Sequence, residues 1–201
     1  AHRGYFPVAE LATFRRLGTR LQGHPTTAEG LPGVRVASGS LGQGLSVAVG
    51  VAQAKKLAND NHLVYVLMGD GEQEEGQIWE AAMYAPAKNV DNIVAIVDYN
   101  KKQIDGPTDD VLTLGDLRAK YESFGWKVWE CNGNDMQELV DTFNKIRENA
   151  HKGQSQILLA HTEMGMGVDF MMGTHKWHGV APNDEQAANA LSQLKETLGD
   201  Y

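Results

Sequence analysis

The sequence predicts an α/β fold: a doubly wound, mainly parallel sheet with helices on both faces. Two observations carry this expectation. Residues 63–68 (Leu-Val-Tyr-Val-Leu-Met) and 93–97 (Ile-Val-Ala-Ile-Val) are unbroken apolar runs of strand length, as two-sided burial in a parallel sheet requires. Segments of helical pattern alternate with such runs along the chain, which is the signature of βαβ units. Connections of this kind are right-handed, and ligands bind beyond the carboxyl ends of the strands.

The elements follow in order. Residues 8–17 read as a short helix stopped by Gly18, and 22–36, rich in Gly, Pro, Thr and His, as an ordered loop. Residues 41–57 carry small and apolar residues almost all round (Leu45, Val47, Ala48, Val49, Val51, Ala52), which predicts a helix buried on most faces. After the strand at 63–68 comes a helix over 77–88, its last turn weakened by Pro86. A second strand covers 92–98. A helix at 117–124, a strand at 127–130, a helix at 136–149 and a strand at 156–160 continue the alternation. A loop rich in Gly, Met and His spans 165–180, and a terminal helix over 184–198 starts after Pro182 and Asn183.

Composition bounds the function. The 201 residues are 42% hydrophobic and 22% charged, which is ordinary for a globular chain and argues against disorder. The net charge of −8 disfavours nucleic acid and anionic membranes as partners. An anionic ligand would need local positive help, from a metal ion or from backbone N–H groups. The single cysteine, Cys131, forbids an internal disulfide, so a reducing, cytoplasmic setting is expected. No apolar run approaches the ~20 residues of a membrane span. The opening Ala1-His2-Arg3-Gly4-Tyr5-Phe6-Pro7 contains no apolar segment of signal-peptide type and no initiating Met.

The loops after the first two strands hold the chemistry. Gly69-Asp70-Gly71 follows the first, and Asp98-Tyr99-Asn100 closes the second. If the strands are parallel neighbours, Asp70 and Asn100 share one edge of the sheet. A carboxylate and an amide oxygen are hard ligands suited to Mg²⁺ or Ca²⁺. Mg²⁺ takes its remaining ligands from phosphate oxygens and water, so the pair suggests a metal bridging the protein to a diphosphate. Gly69 and Gly71 let the backbone turn sharply and approach a ligand closely. Taken alone, Gly-Asp-Gly is also common turn chemistry, with the Asp capping the next helix.

Gly-Asp-Gly after a buried strand, with Asn one βαβ unit later, resembles the motif of thiamine diphosphate enzymes. Further blocks narrow the resemblance to transketolase. These are Gln22-Gly23-His24-Pro25, the run from Ala37 through Ser38-Gly39-Ser40-Leu41-Gly42-Gln43-Gly44, Glu75-Gly76 with Glu80, Ile104-Asp105-Gly106, and His178-Gly179. They run in order over 11–179. Ser40 departs from the family, which often has Pro there, a change that leaves a backbone contact undisturbed.

The resemblance implies roles residue by residue. Asp70 and Asn100 would ligate the metal by their side chains and Lys102 by its backbone carbonyl. Gly69, Gly71, Gly39, Leu41, Ile104 and His178 would contact thiamine diphosphate, with Gly39 presenting backbone to the aminopyrimidine edge. Ile104 is equally readable as an ordinary core residue. His24 and His178 would be catalytic, since imidazole hydrogen-bonds sugar hydroxyls and moves protons near neutral pH. Glu75 and Glu80 would lie at a subunit interface, although acids near a helix start are also simply favoured by its dipole.

The implied activity is transfer of a two-carbon ketol unit from a ketose phosphate to an aldose phosphate, dependent on thiamine diphosphate and a divalent cation. The whole of 1–201 reads as one diphosphate-binding domain lacking its N-terminal segment, with no pyrimidine-binding domain and so no activating glutamate. The ending around Trp177–Glu185 is similar to the N-terminal subunit of split, two-gene transketolases. That implies a complementary C-terminal chain carrying the pyrimidine-binding domain, in a heterotetramer. Deoxyxylulose phosphate synthases and dehydrogenase E1 α-subunits share Gly-Asp-Gly…Asn, but the Gly-His-Pro and Ser-Leu-Gly-Gln-Gly blocks argue against both. A non-catalytic cofactor-binding subunit is the alternative from another class.

Overall fold

The computed structural model of the chain describes residues 1–195. In chain order its elements are α1 (Gln43–Leu57), β1 (Val64–Gly69), α2 (Gly76–Ala87), β2 (Ile93–Tyr99), the short strands β3 (Lys102–Gln103) and β4 (Gly106–Pro107), α3 (Thr108–Val111), α4 (Leu117–Ser123), β5 (Lys127–Asn132), α5 (Met136–Glu148), β6 (Gln156–His161) and α6 (Asp184–Gln193). The main sheet has the order β1-β2-β6-β5 with every pair parallel, and β3 and β4 form a separate antiparallel hairpin.

The central strands β2 and β6 are covered on both faces, which is why they read as continuous apolar runs. On the edge strand β1, Tyr65 and Leu67 are exposed, so the two-sided burial expected of residues 63–68 does not hold there. Along β2, Ile93, Ala95 and Val97 face one core with α1, α2 and α4, represented by Leu45, Ile78 and Tyr121. The alternate residues Val94 and Ile96 face a second core with Ile146 of α5. The order also explains which helix lies where. From β1 to β2 the chain steps one way across the sheet, and from β5 to β6 it steps back. With right-handed crossovers at both steps, α2 and α5 must lie on opposite faces. The register Gly69↔Asp98↔Ala160 sets the carboxyl ends of the three strands level.

Caps fix the helix starts where the sequence offers them. Asp116 accepts from the Ala119 N–H, Asp135 from those of Gln137 and Glu138, and Asn183 forms a capping box with Gln186. Pro86 sits in the last turn of α2, which ends one residue later.

Three further expectations need correction. Residues 8–17 form only a 3-10 helix, Val8–Thr13, and the apolar Val8, Leu11, Phe14 and Leu17 are all exposed. With no core to bury them against, nothing offsets the cost of nucleating a longer helix. Second, α1 is not buried on most faces: Leu45, Ala48, Val49 and Ala52 are buried, but Val47 and Val51 are open. They border an apolar groove of about 410 Å³ beside β1, the edge strand, where Leu67 is 72% exposed. Third, the terminal helix ends at Gln193, and its expected residues 196–198 lie outside the described residues.

A buried polar relay supports the turn after β1. Trp126 donates its indole N–H to the Ala82 carbonyl at 2.7 Å and meets the Tyr121 ring edge-on at 5.6 Å. The Tyr121 hydroxyl donates to Gln73 Oε1 at 2.6 Å, and Gln73 Nε2 donates to the Gly69 carbonyl at 2.9 Å. Tyr121 and Gln73 are fully buried, so neither polar end can turn to water instead. Tyr121→Phe leaves Gln73 Oε1 without its donor and should cost about 1–3 kcal/mol of stability, read from the urea midpoint. An unchanged midpoint would show that the relay contributes nothing.

Candidate functional site

The site is built where β1 and β2 end side by side. Asp70, the first residue after β1, is 2% exposed. One carboxylate oxygen accepts the Gly71 N–H at 2.8 Å, and the other accepts the N–H of Lys101 from the end of β2. Burial pushes the Asp70 carboxyl above its ordinary pKa. The two N–H bonds pull it back, and the neighbouring Asp98 charge raises it further.

The backbone beyond β2 is shaped to reach Asp70. Lys101 has φ +60°, unusual for a residue with a side chain, and this left-handed turn aims its N–H at Asp70. Asn100 Oδ1 accepts the Lys102 N–H at 2.8 Å, closing an Asx turn, and Asn100 Nδ2 reaches Asp98 at 3.5 Å. In the following hairpin Lys102 pairs with Pro107, which has no N–H to offer the Lys102 carbonyl. Gly71 packs against this hairpin: a Cβ there would lie 2.8 Å from Gln103 Cβ.

A cleft of about 460 Å³ opens onto these groups. Leu41, Gly69, Asp70, Gly71, Glu75, Asn100, Lys102, Ile104 and His178 all line it; Leu41 and Ile104 are 55% and 64% exposed. Ile104 is therefore not a core residue; it stands at the tip of the β3–β4 hairpin. Glu72, Glu74, Asp98 and Asp105 complete an acidic lining against the single cation Lys102. Glu74 Oε1 is buried there without a hydrogen-bond partner. A diphosphate would be repelled by this wall unless a divalent cation bridged the two. Among the described residues no cluster of three or more His, Cys, Asp or Glu has metal-binding geometry. The donor set of one carboxylate, one amide and one carbonyl instead fits a cation that completes its shell with ligand oxygens.

The remaining sequence-predicted residues stand around the cleft. Gly39, at φ +108°, carries the His24 ring directly on its bare Cα, where a Cβ would overlap the imidazole. Gly39 and Leu41 line the neighbouring apolar groove, so Leu41 belongs to both walls, while His24 lines neither. His178 is exposed and lies in the 165–180 loop. Glu75 is the N-cap residue of α2, and Glu80 is exposed on that helix.

Sequence reading passed over several residues. Glu163 accepts Lys102 Nζ at 2.9 Å and the Gly173 N–H at 2.8 Å, and its own N–H donates to Asn134 Oδ1. It thereby ties the His178 loop to the hairpin, and these bonds hold its carboxyl below the ordinary range. Asp98 accepts the Thr162 hydroxyl across the ends of β2 and β6. For Asp98 the signal was present, two residues before Asn100. For Glu163 there was none, because its partners come from distant segments.

Comparisons with known proteins agree with this fold. Residues 3–199 match the family described as transketolase, thiamine diphosphate binding domain. The chain is 41% identical over 196 residues to one of the subunits of apulose-4-phosphate transketolase from Phocaeicola vulgatus, covering 98% of this chain and 68% of that protein. It is 37% identical to the 6-deoxy-6-sulfo-D-fructose transketolase subunit SqwG of a Clostridium species, covering 98% of this chain and 70% of that one. Among solved structures, transketolase of Pichia stipitis in complex with sedoheptulose 7-phosphate superposes with a TM-score of 0.84 at 29% identity, over 93% of this chain and 29% of that one. Campylobacter jejuni transketolase gives 0.83 at 30% identity, over 92% and 29%. The chain thus spans under a third of these solved structures. With a parallel sheet whose carboxyl edge carries Gly-Asp-Gly beside Asn, the chain belongs to the transketolase thiamine diphosphate-binding domain family.

Proposed function

We propose that this chain is the diphosphate-binding subunit of a split transketolase. It would transfer a two-carbon ketol unit between sugar phosphates once joined to a complementary chain bearing a pyrimidine-binding domain. The observation that carries this reading is Asp70, nearly fully buried and close to Asn100 at the adjacent strand end, in one cleft with Lys102, Ile104, Leu41 and His178. The relatives named as transketolase subunits support the split arrangement.

Thiamine diphosphate, when bound, supplies the electron sink for cleaving the bond beside a ketose carbonyl. The chain's residues would do the rest. Asp70, Asn100 and the Lys102 carbonyl would hold Mg²⁺ or Ca²⁺ against the diphosphate. Gly69 and Gly71 keep the backbone close to it. Gly39 would offer backbone to the aminopyrimidine, while Leu41 and Ile104 supply apolar walls that exclude water. His178 and His24 would hydrogen-bond donor hydroxyls and move protons.

The complementary chain would meet this one across 39–44, Glu75 and Glu80, in a heterotetramer with cofactor at the seams. The open apolar side of α1 at Val47 and Val51 supports contact with further protein on this side of the fold. The proposed setting is the cytoplasm, which the buried, free Cys131 supports. No helix among the described residues is long and apolar enough to cross a membrane.

Two outcomes are expected. The purified chain with thiamine diphosphate and Mg²⁺ should give no ketol transfer in a coupled assay, and mixing in the complementary chain should start it. Turnover by the lone chain would refute the split-subunit reading. In the mixed protein, Asp70→Ala should weaken Mg²⁺-dependent thiamine diphosphate binding by about a hundredfold or more in calorimetry, the loss of a metal ligand and its charge. Unaltered affinity would remove Asp70 from the metal site.

A further inference from the structure

Glu72 belongs to no block of the family motif, yet it joins the two loops that the proposed cofactor needs. Its Oε1 accepts the Gly42 N–H at 2.8 Å and its Oε2 accepts the Gly69 N–H at 3.1 Å. Gly69 immediately precedes Asp70. Gly42 immediately follows Leu41 and lies three residues after Gly39. One carboxylate therefore spans from the diphosphate end of the site to the aminopyrimidine end.

The local chemistry explains why an outside carboxylate is required. Gly42 is the N-cap of α1, and a glycine has no side chain to satisfy the helix's first N–H groups. Gly42 must be glycine, because its φ is +82° and a Cβ would lie 2.9 Å from Glu75 Cβ. Glu72 satisfies the N–H of the N-cap residue itself, and its negative charge suits the positive end of a fifteen-residue helix. Glu72 and Leu41 also form the wall shared by the cleft and the apolar groove. A shift of Glu72 would move Leu41 relative to Asp70.

We propose that Glu72 is a positioning residue that locks the Gly39–Gly42 turn to the Gly69–Gly71 turn. Both ends of a bound thiamine diphosphate then meet a single rigid frame. The inference rests on the functional reading above.

The test compares two ligands on the assembled protein by calorimetry: Mg²⁺ with thiamine diphosphate, and Mg²⁺ with inorganic pyrophosphate, which engages only the Asp70 end. Glu72→Gln keeps the side chain's size but must turn an NH₂ toward one of the two donors. It should weaken thiamine diphosphate binding about tenfold, the scale of one charge-assisted hydrogen bond, and change pyrophosphate binding less than about twofold. Equal loss of both ligands, or loss of neither, overturns the proposal. A second measurement needs no variant. In the wild-type assembly, Mg²⁺-pyrophosphate should slow amide hydrogen exchange across 39–44, a segment it does not touch, and unchanged exchange there overturns the coupling. A wild type that binds pyrophosphate but not thiamine diphosphate overturns the functional reading itself.

Discussion

The structure turns on a carboxylate that is costly to bury. Asp70 has almost no contact with solvent, and an ionised carboxylate in such a place needs hydrogen bonds or a counter-charge. Two N–H groups meet part of that need, one from its own turn and one from Lys101 just beyond the neighbouring strand. The second bond laces the carboxyl ends of β1 and β2 together. It also dictates the left-handed backbone at Lys101 and hence the direction in which the β3–β4 hairpin leaves the sheet. Asp98 adds a like charge that raises the Asp70 pKa further. A divalent cation, as proposed above, would relieve this tension.

Around that carboxylate, close approach is arranged by removing side chains. Gly71 lets the turn touch the hairpin at Gln103, Gly42 lets α1 start against Glu75, and Gly39 gives the His24 ring a bare surface to lie on. At each place an alanine would push apart two segments in or beside the cleft and the groove. Polar groups then hold the contacts: Gln73 and Tyr121 behind the Gly69 carbonyl, Glu72 in front of its N–H, and Glu163 between Lys102 and the His178 loop.

Much of this was legible in the sequence, for identifiable reasons. β2 was readable because burial on both faces leaves no polar alternation to confuse, and β1 because its open face, at Tyr65 and Leu67, is apolar too. Asp70 and Asn100 were readable because the level ends of neighbouring parallel strands make sequence spacing into spatial proximity. The strand order was not, since nothing local says that β6 inserts between β2 and β5. The β3–β4 hairpin escaped because strands of two residues, one ending in Pro107, carry no period. The helix expected at 8–17 failed because its apolar spacing has no opposing surface. Glu72, Gln73 and Glu163 were invisible because acids and amides in a loop look alike whether solvated or clamped.

The central claim is that Asp70 and Asn100 hold a divalent cation that touches the diphosphate. Replacing Mg²⁺ by paramagnetic Mn²⁺ in the assembled protein and recording the phosphorus resonances of added thiamine diphosphate tests it directly. The account predicts one Mn²⁺ per chain and strong broadening of both phosphorus lines, lost in Asn100→Ala. Sharp phosphorus lines in the presence of bound Mn²⁺, or broadening that survives Asn100→Ala unchanged, would contradict it.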